Sequence, residues 1–176
     1  MIVANLVGGP GIGKSTIALE LAGYMKRHHP EIVVEYVEEA AKSLTWNEHR
    51  GISSTPFVTG KQYNKLKRLE RHGVDLAITD SVLFSSLFYN EYSNAEEDYI
   101  MELFHRFNNL CFVVEREEHC FYQQIGRSQN REQAKHIHSR IAASFDYYHI
   151  PYHLCQYNWP MEKYEEIILR GTHEPI

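Results

Sequence analysis

Cysteine is scarce in this chain of 176 residues: Cys111, Cys120 and Cys155 make an odd number without paired spacing. That excludes a disulfide framework and suits a reducing compartment. Long apolar runs are missing too. No stretch approaches the ~18 residues that cross a bilayer, and the opening Ile2–Val7 run meets glycines too soon for a signal peptide. The expectation is a soluble cytoplasmic protein with no membrane partner. No cysteine or histidine spacing matches a zinc signature, although there are 11 histidines. The pair in His136-Ile137-His138 would point apart on a helix, and His119-Cys120 has no companion pair, so no structural zinc is expected. Basic residues are outnumbered 18 to 23, for a net charge of −5. This balance argues against a chain coated in nucleic acid and leaves room for one local basic groove. Repeats, low-complexity stretches and Pro/Ser linkers are absent, so residues 1–176 read as one domain.

What is present is an alternation. Apolar β-branched runs at Ile2–Val7, Ile32–Val37, Val74–Thr79, Leu110–Val114 and Tyr152–Cys155 predict five strands. Between them lie helical patterns. Ile17, Leu21, Tyr24 and Met25 share one face of a helix that His28-His29-Pro30 ends. Asn94 is placed to cap a helix burying Ile100, Leu103, Phe104 and Phe107. A long helix near 129–149 aligns Ala134, Ile137, Ile141, Phe145 and Tyr148. Pro160 opens a short one over about 161–169, and the tail from Gly171 is expected to fray. Strands apolar almost throughout imply an α/β fold, a mainly parallel sheet of about five strands with helices on both faces. Ligands of such sheets bind beyond the carboxyl ends of the strands, at residues 8–16, 38–42, 80–81 and 115–131 here.

The most specific of these segments is Gly8-Gly9-Pro10-Gly11-Ile12-Gly13-Lys14-Ser15-Thr16. It satisfies G-x-x-x-x-G-K-[ST] and sits between a predicted strand and a predicted helix, the context that marks a phosphate-binding P-loop. Glycines let backbone N–H groups approach phosphate oxygens, and the following helix turns its positive end to the same anion. Gly9 to Thr16 are thus expected to hold ATP, with Lys14 on the β/γ oxygens and the Ser15 hydroxyl on Mg²⁺.

Three further segments face that loop. Asp80, ending Ile78-Thr79-Asp80-Ser81, is placed to hold the Mg²⁺ water shell or to take a proton from an attacking hydroxyl; capping the next helix is the plainer alternative. Glu38-Glu39 ends the second strand on the acceptor side, where one of the two carboxylates could activate a hydroxyl; a solvated helix start is the alternative. In Gly126-Arg127-Ser128-Gln129-Asn130-Arg131, the two arginines would lie a helical turn apart if both were helical. That suits a lid over about 116–131 closing on the transferring phosphoryl group; two exposed arginines starting a surface helix are the plainer alternative.

Residues 45–72 read as an acceptor-side insertion. Its first part, 45–60, looks loop-rich, and its second carries Lys61, Lys65 and Arg68 on one helical face. Such a face suits a polynucleotide backbone, one acceptor phosphate, or solvent. Three classes compete: transfer to a hydroxyl of DNA, transfer to a free nucleoside or nucleotide, and a regulatory P-loop ATPase. A GTPase switch is disfavoured, because Asn64-Lys65-Leu66-Lys67 lacks the final aspartate of a guanine-reading motif.

Across nearly its whole length the chain resembles a family of small bacteriophage P-loop kinases, often labelled ATPases and distantly similar to ribosylnicotinamide-kinase-type domains. The resemblance is carried by the P-loop, Glu39-Ala40-Ala41-Lys42, Lys61-Gln62-Tyr63, Ile78-Thr79-Asp80-Ser81, Gly126-Arg127-Ser128-Gln129 and Ile150-Pro151-Tyr152. Some members are DNA base kinases that phosphorylate 5-hydroxymethyluracil in hypermodified DNA. The resemblance implies such an acceptor, ATP and Mg²⁺ as cofactors, and the host cytoplasm as location. It further implies Glu39 or Asp80 as base, Gln62 on the pyrimidine edge, and Lys14, Arg127 and Arg131 on the phosphoryl group. The chain differs from the family pattern at Ala40 and at Ser81-Val82.

Overall fold

The computed structural model describes residues 1–48, 50–116 and 130–173. Five parallel strands form one sheet in the order β2-β3-β1-β4-β5. They are β1 (Ile2–Val7), β2 (Val34–Val37), β3 (Leu76–Thr79), β4 (Asn108–Val114) and β5 (His153–Cys155). Among the described residues six α-helices surround them: α1 (Lys14–His28), α2 (Ala40–Trp46), α3 (Thr55–Arg71), α4 (Asn94–Phe104), α5 (Arg131–Tyr147) and α6 (Met161–His173). Short 3-10 turns occupy Arg50–Ser53 and Leu83–Phe88. No described helix is long and apolar enough to cross a membrane.

The two-residue period of each strand divides the core. Val3 and Val7 of β1, Ala77 of β3, and Cys111 and Val113 of β4 face one side. There they meet Leu66 of α3, Ile100 and Leu103 of α4, and Ile137, Ile141 and Phe145 of α5. Ile2, Ala4, Leu6, Leu76, Ile78, Phe112 and Val114 face the other, against Ile17, Leu21 and Met25 of α1 and Tyr164 and Ile168 of α6. Burial on both faces is why the strands read as nearly continuous apolar runs. Phe84, brought in by the 3-10 turn after β3, packs its ring 5.1 Å from Phe104 and 5.5 Å from Phe145. Each such buried side chain contributes about 1.5–3 kcal/mol.

Several boundaries move from the sequence expectation. Ser93, not Asn94, caps α4: its hydroxyl accepts the Glu96 N–H while the Glu96 carboxylate accepts the Ser93 N–H. This is a capping box, and it outcompetes the neighbouring asparagine. Phe107 lies past the end of α4 yet is buried in the same core. The long helix starts at Arg131 because Asn130 and Gln133 form a second capping box. The segment 45–60 is more helical than expected: α2 reaches Trp46, and α3 begins at Thr55 with Pro56 in its first turn, where a missing N–H costs nothing. α6 continues through Gly171 to His173 instead of fraying there. Cys120, Arg127 and the expected lid between 117 and 129 lie outside the described residues.

Candidate nucleotide-binding site

Parallel pairing brings every strand's carboxyl end to one edge of the sheet, so the segments after the strands converge. Gly8 to Gly13 leave β1, Glu38-Glu39 leave β2, Asp80 leaves β3, Arg116 follows β4 and Tyr157 follows β5. Gly8, Gly11 and Gly13 adopt positive φ of 144°, 78° and 90°. Gly13 is the left-handed N-cap of α1, which starts without a side-chain cap. The left-handed φ demands glycine here, and a Cβ would in addition displace the exposed Tyr157 ring, whose Cε2 would lie 2.2 Å from it. The Lys14 ammonium curls back to donate to the Gly9 carbonyl at 2.9 Å.

The Ser15 hydroxyl, in the first turn of α1, donates to Oδ2 of Asp80. Asp80 is almost wholly buried at 1% exposure. Its Oδ1 accepts the backbone N–H of Glu39 at 2.9 Å. One carboxylate therefore joins the loop to the start of α2. A hydroxyl and a carboxylate side by side are the hard oxygen donors that suit Mg²⁺. Glu39 is half-buried, and its carboxyl is pushed up to about 7, chiefly by burial, with Lys14 opposing the rise and Asp80 adding to it. Burial, and then the charge of Asp80, likewise raises the Tyr36 hydroxyl above its ordinary value.

The α3 residues divide. Gln62 is buried at 4% exposure. Its Oε1 accepts the Ala40 N–H at 2.8 Å, and its Nε2 donates to Thr79 Oγ1 at 3.2 Å. The side chain ties α2, α3 and β3 together with both ends of its amide. Lys65 donates to the Glu38 carbonyl at 2.8 Å. Lys61 is exposed, its ammonium 5.2 Å from the centre of the Phe57 ring, and Arg68 is exposed as well. The structure thus gathers Lys14, Ser15, Glu39 and Asp80, sets Gln62 and Lys65 as struts behind Glu39, and leaves Lys61 on the outer surface. Arg131 stands exposed at the first position of α5.

Three residues at the loop had no named role in the sequence reading. The Arg116 guanidinium donates to the Pro10 carbonyl, Nδ1 of His138 takes the Gly9 N–H at 3.2 Å, and the Tyr157 ring lies against Gly13. Arg116 lies within the 115–131 segment that the strand-end rule marked, and Tyr157 follows β5, where the same rule applies. His138 sits on a helix and had no such signal.

Residues 3–161 match the family model described as the AAA domain. The chain belongs to that family. None of the curated proteins matches this AAA domain in sequence. Among solved structures it is similar to thymidylate kinase from Ehrlichia chaffeensis, at TM-score 0.61 and 14% identity over 99% of this chain and 98% of that one. It is also similar to deoxyadenosine kinase from M. mycoides with bound dATP, at TM-score 0.53 and 14% identity over 99% and 100%. At such identities the likeness establishes a shared fold, a P-loop α/β domain with a five-stranded parallel sheet.

Proposed function

We propose that this AAA domain is an ATP- and Mg²⁺-dependent phosphotransferase whose acceptor is a hydroxyl of a free nucleoside or nucleotide. The observation that carries the reading is the junction of Ser15, Asp80 and Glu39: a loop hydroxyl on a buried carboxylate, which also fixes the start of the segment bearing a half-buried glutamate. Of the solved structures of like fold, one is by name a deoxyadenosine kinase, which agrees with a nucleoside hydroxyl, and one a thymidylate kinase, by name acting on a nucleotide that already carries a phosphate.

Here Gly11 to Thr16 turn backbone N–H groups to the polyphosphate while Gly9 and Pro10 shape the loop, and Lys14 leaves the Gly9 carbonyl to meet the β/γ oxygens. Ser15 and Asp80 would hold Mg²⁺, which neutralises charge on the phosphates when bound. Glu39, with its carboxyl near 7, is matched to accept a hydroxyl proton at neutral pH. The acceptor oxygen forms a bond to the γ-phosphorus as the bond from that phosphorus to the β-bridging oxygen breaks. The proton goes to Glu39, and ADP leaves. Arg131, and Arg127 beyond the described residues, are assigned to the transferring group. The domain is one unit over 1–176, with 45–72 on the acceptor side and 116–131 as lid.

The hydroxymethyluracil-DNA acceptor is the second reading. What favours it is the exposed cation pair Lys61 and Arg68 on α3. Against it, Lys65 is turned to the Glu38 carbonyl and the net charge is −5, so the basic face is small.

The test is transfer from γ-labelled ATP with Mg²⁺ to deoxyadenosine, thymidine, dTMP and hydroxymethyluracil-containing DNA. Label on a hydroxyl of a free nucleoside or nucleotide is the expected result, and label on the existing phosphate of dTMP would overturn the hydroxyl assignment. Label on DNA alone would overturn the acceptor assignment in favour of the second reading. Hydrolysis with no labelled acceptor would point to a regulatory ATPase.

A further inference from the structure

Three successive backbone groups of the phosphate loop are each held by a side chain from a different element. The Gly9 N–H goes to His138 of α5, the Gly9 carbonyl to Lys14 of α1, and the Pro10 carbonyl to Arg116 after β4. Of these only the contact to His138 uses an acceptor. A backbone N–H can only donate, so Nδ1 must carry the lone pair, and the ring proton belongs on Nε2.

The packing makes this contact close. Gly9 has no positive φ, unlike Gly8, Gly11 and Gly13. Its need for glycine comes from α5 instead: a Cβ there would lie 2.7 Å from the Ala134 carbonyl oxygen and 2.7 Å from Cβ of His138. A Cβ on Gly8 would lie 3.3 Å from Nδ1 of the same ring. The backbone of α5 thus rests against the loop, and His138 is its polar point of contact. The two histidines of His136-Ile137-His138 do point apart: His136 is exposed and His138 is turned inward. Burial, then the cations of Arg116 and Lys14, push the imidazole down to about 4. These two are the charged groups that face it among the described residues, and both disfavour a second ring proton.

We propose that His138 is a positioning residue of the phosphate loop, whose neutral imidazole orients the Gly9 peptide and thereby sets the affinity for the nucleotide triphosphate. The proposal rests on the reading of this loop as the nucleotide site. A loop whose amides must converge on phosphate gains affinity from being held in that shape before binding. Without the acceptor, the Gly9 N–H would be left against α5 with no partner, and the loop would trade its binding shape for one that satisfies it.

Two substitutions separate chemistry from volume. His138→Leu fills similar space without an acceptor, whereas His138→Asn places a carbonyl oxygen near the position of Nδ1. Calorimetric titration with Mg·ATP is expected to show affinity about tenfold weaker in the leucine variant and within about threefold of wild type in the asparagine variant. In transfer assays KM for ATP should rise while kcat at saturation changes much less. Amide exchange at Gly9, followed by NMR without nucleotide, should be fast in His138→Leu and slow in the other two proteins. Equal affinity in all three proteins, or equal loss in both variants, would overturn the proposal. So would a proton found on Nδ1 at neutral pH by ring nitrogen correlation spectra. If the wild type binds no ATP, the nucleotide-site reading fails. The hold of His138 on Gly9 is then judged by the exchange rates, and equal protection in all three refutes it.

Discussion

Ser15 and Asp80, 65 residues apart in sequence, meet in a direct hydrogen bond between the loop hydroxyl and the carboxylate that ends β3. Asp80 uses its other oxygen on the Glu39 N–H, so the same buried group anchors both sides of the cleft. Substitutions here act on structure and chemistry together, and the two must be read by different measurements. Ser15→Ala removes one oxygen donor and leaves the backbone of the cleft untouched. It should raise the Mg²⁺ concentration needed for half-maximal transfer and lower kcat by about 10²-fold, and, by leaving Oδ2 of buried Asp80 without its donor, cost about 1–3 kcal/mol of stability. An unaltered Mg²⁺ dependence would remove Ser15 from the metal site.

Glu39→Gln tests the base. Transfer should fall by about 10²-fold or more while the affinity for Mg·ATP stays within about threefold, because the side chain is assigned to the acceptor's proton and not to the phosphates. In wild type, kcat/KM should climb with pH through about 7 as Glu39 ionises, and this limb should vanish in the variant. An equal loss of binding and transfer would make Glu39 structural.

The same group shapes stability. Its carboxyl rises from 4.5 to about 7 on folding, so between those values this group holds more proton in the folded protein than in the unfolded chain. Its contribution to stability must then fall as pH rises across that window. His138 works in the opposite sense: its depressed imidazole leaves the unfolded chain holding more protons between about 4 and 6.5, so its contribution grows with pH there. Urea unfolding across this range should therefore show Glu39→Gln gaining stability relative to wild type as pH rises toward 7. A constant difference between the two proteins would contradict the raised carboxyl.

Gln62 decides between strut and ligand contact. Gln62→Leu leaves the buried Ala40 N–H without its acceptor and Thr79 without its donor, which costs about 1–3 kcal/mol. Tm should drop by several degrees. If Tm holds and only the acceptor KM rises, Gln62 reads the acceptor, as the family resemblance implied.

The glycines offer a paired control. Gly13→Ala must hold φ near +90° against the Tyr157 ring, and should cost about 1–3 kcal/mol and weaken ATP binding. Gly60→Ala, inside α3 with nothing within 4 Å of the added carbon, should stabilise by roughly 0.5–1 kcal/mol and leave binding alone.

Strands and helices with a clear period were legible because burial on one or both faces writes that period into the residues. β1 matches from end to end; Ile100, Leu103 and Phe104 form the buried face of α4, and Ala134, Ile137, Ile141 and Phe145 lie on that of α5, while Phe107 and Tyr148 fall just past the helix ends. Boundaries set by competition between neighbouring caps, such as Ser93 over Asn94, were not. The loop glycines, Lys14, Ser15, Glu39 and Asp80 were visible as a motif and as strand ends. Gln62 and Lys65 were visible as polar residues on a helix, but their direction was not: it depends on α2 packing over α3, a contact between segments that no local pattern encodes. His138 was hidden for the same reason. Its partner is a backbone N–H 129 residues away, and a backbone group leaves no mark in composition.

Every role assigned above requires the loop at Gly8 to Thr16 to hold a nucleotide triphosphate with Mg²⁺. Calorimetric titration of the wild-type chain and of Lys14→Ala with ATP, with and without Mg²⁺, tests this directly. The account predicts saturable binding with one site per chain, strengthened by Mg²⁺ and lost or weakened by about 10²-fold in Lys14→Ala. Absence of binding in wild type, or equal binding in the two proteins, would contradict it.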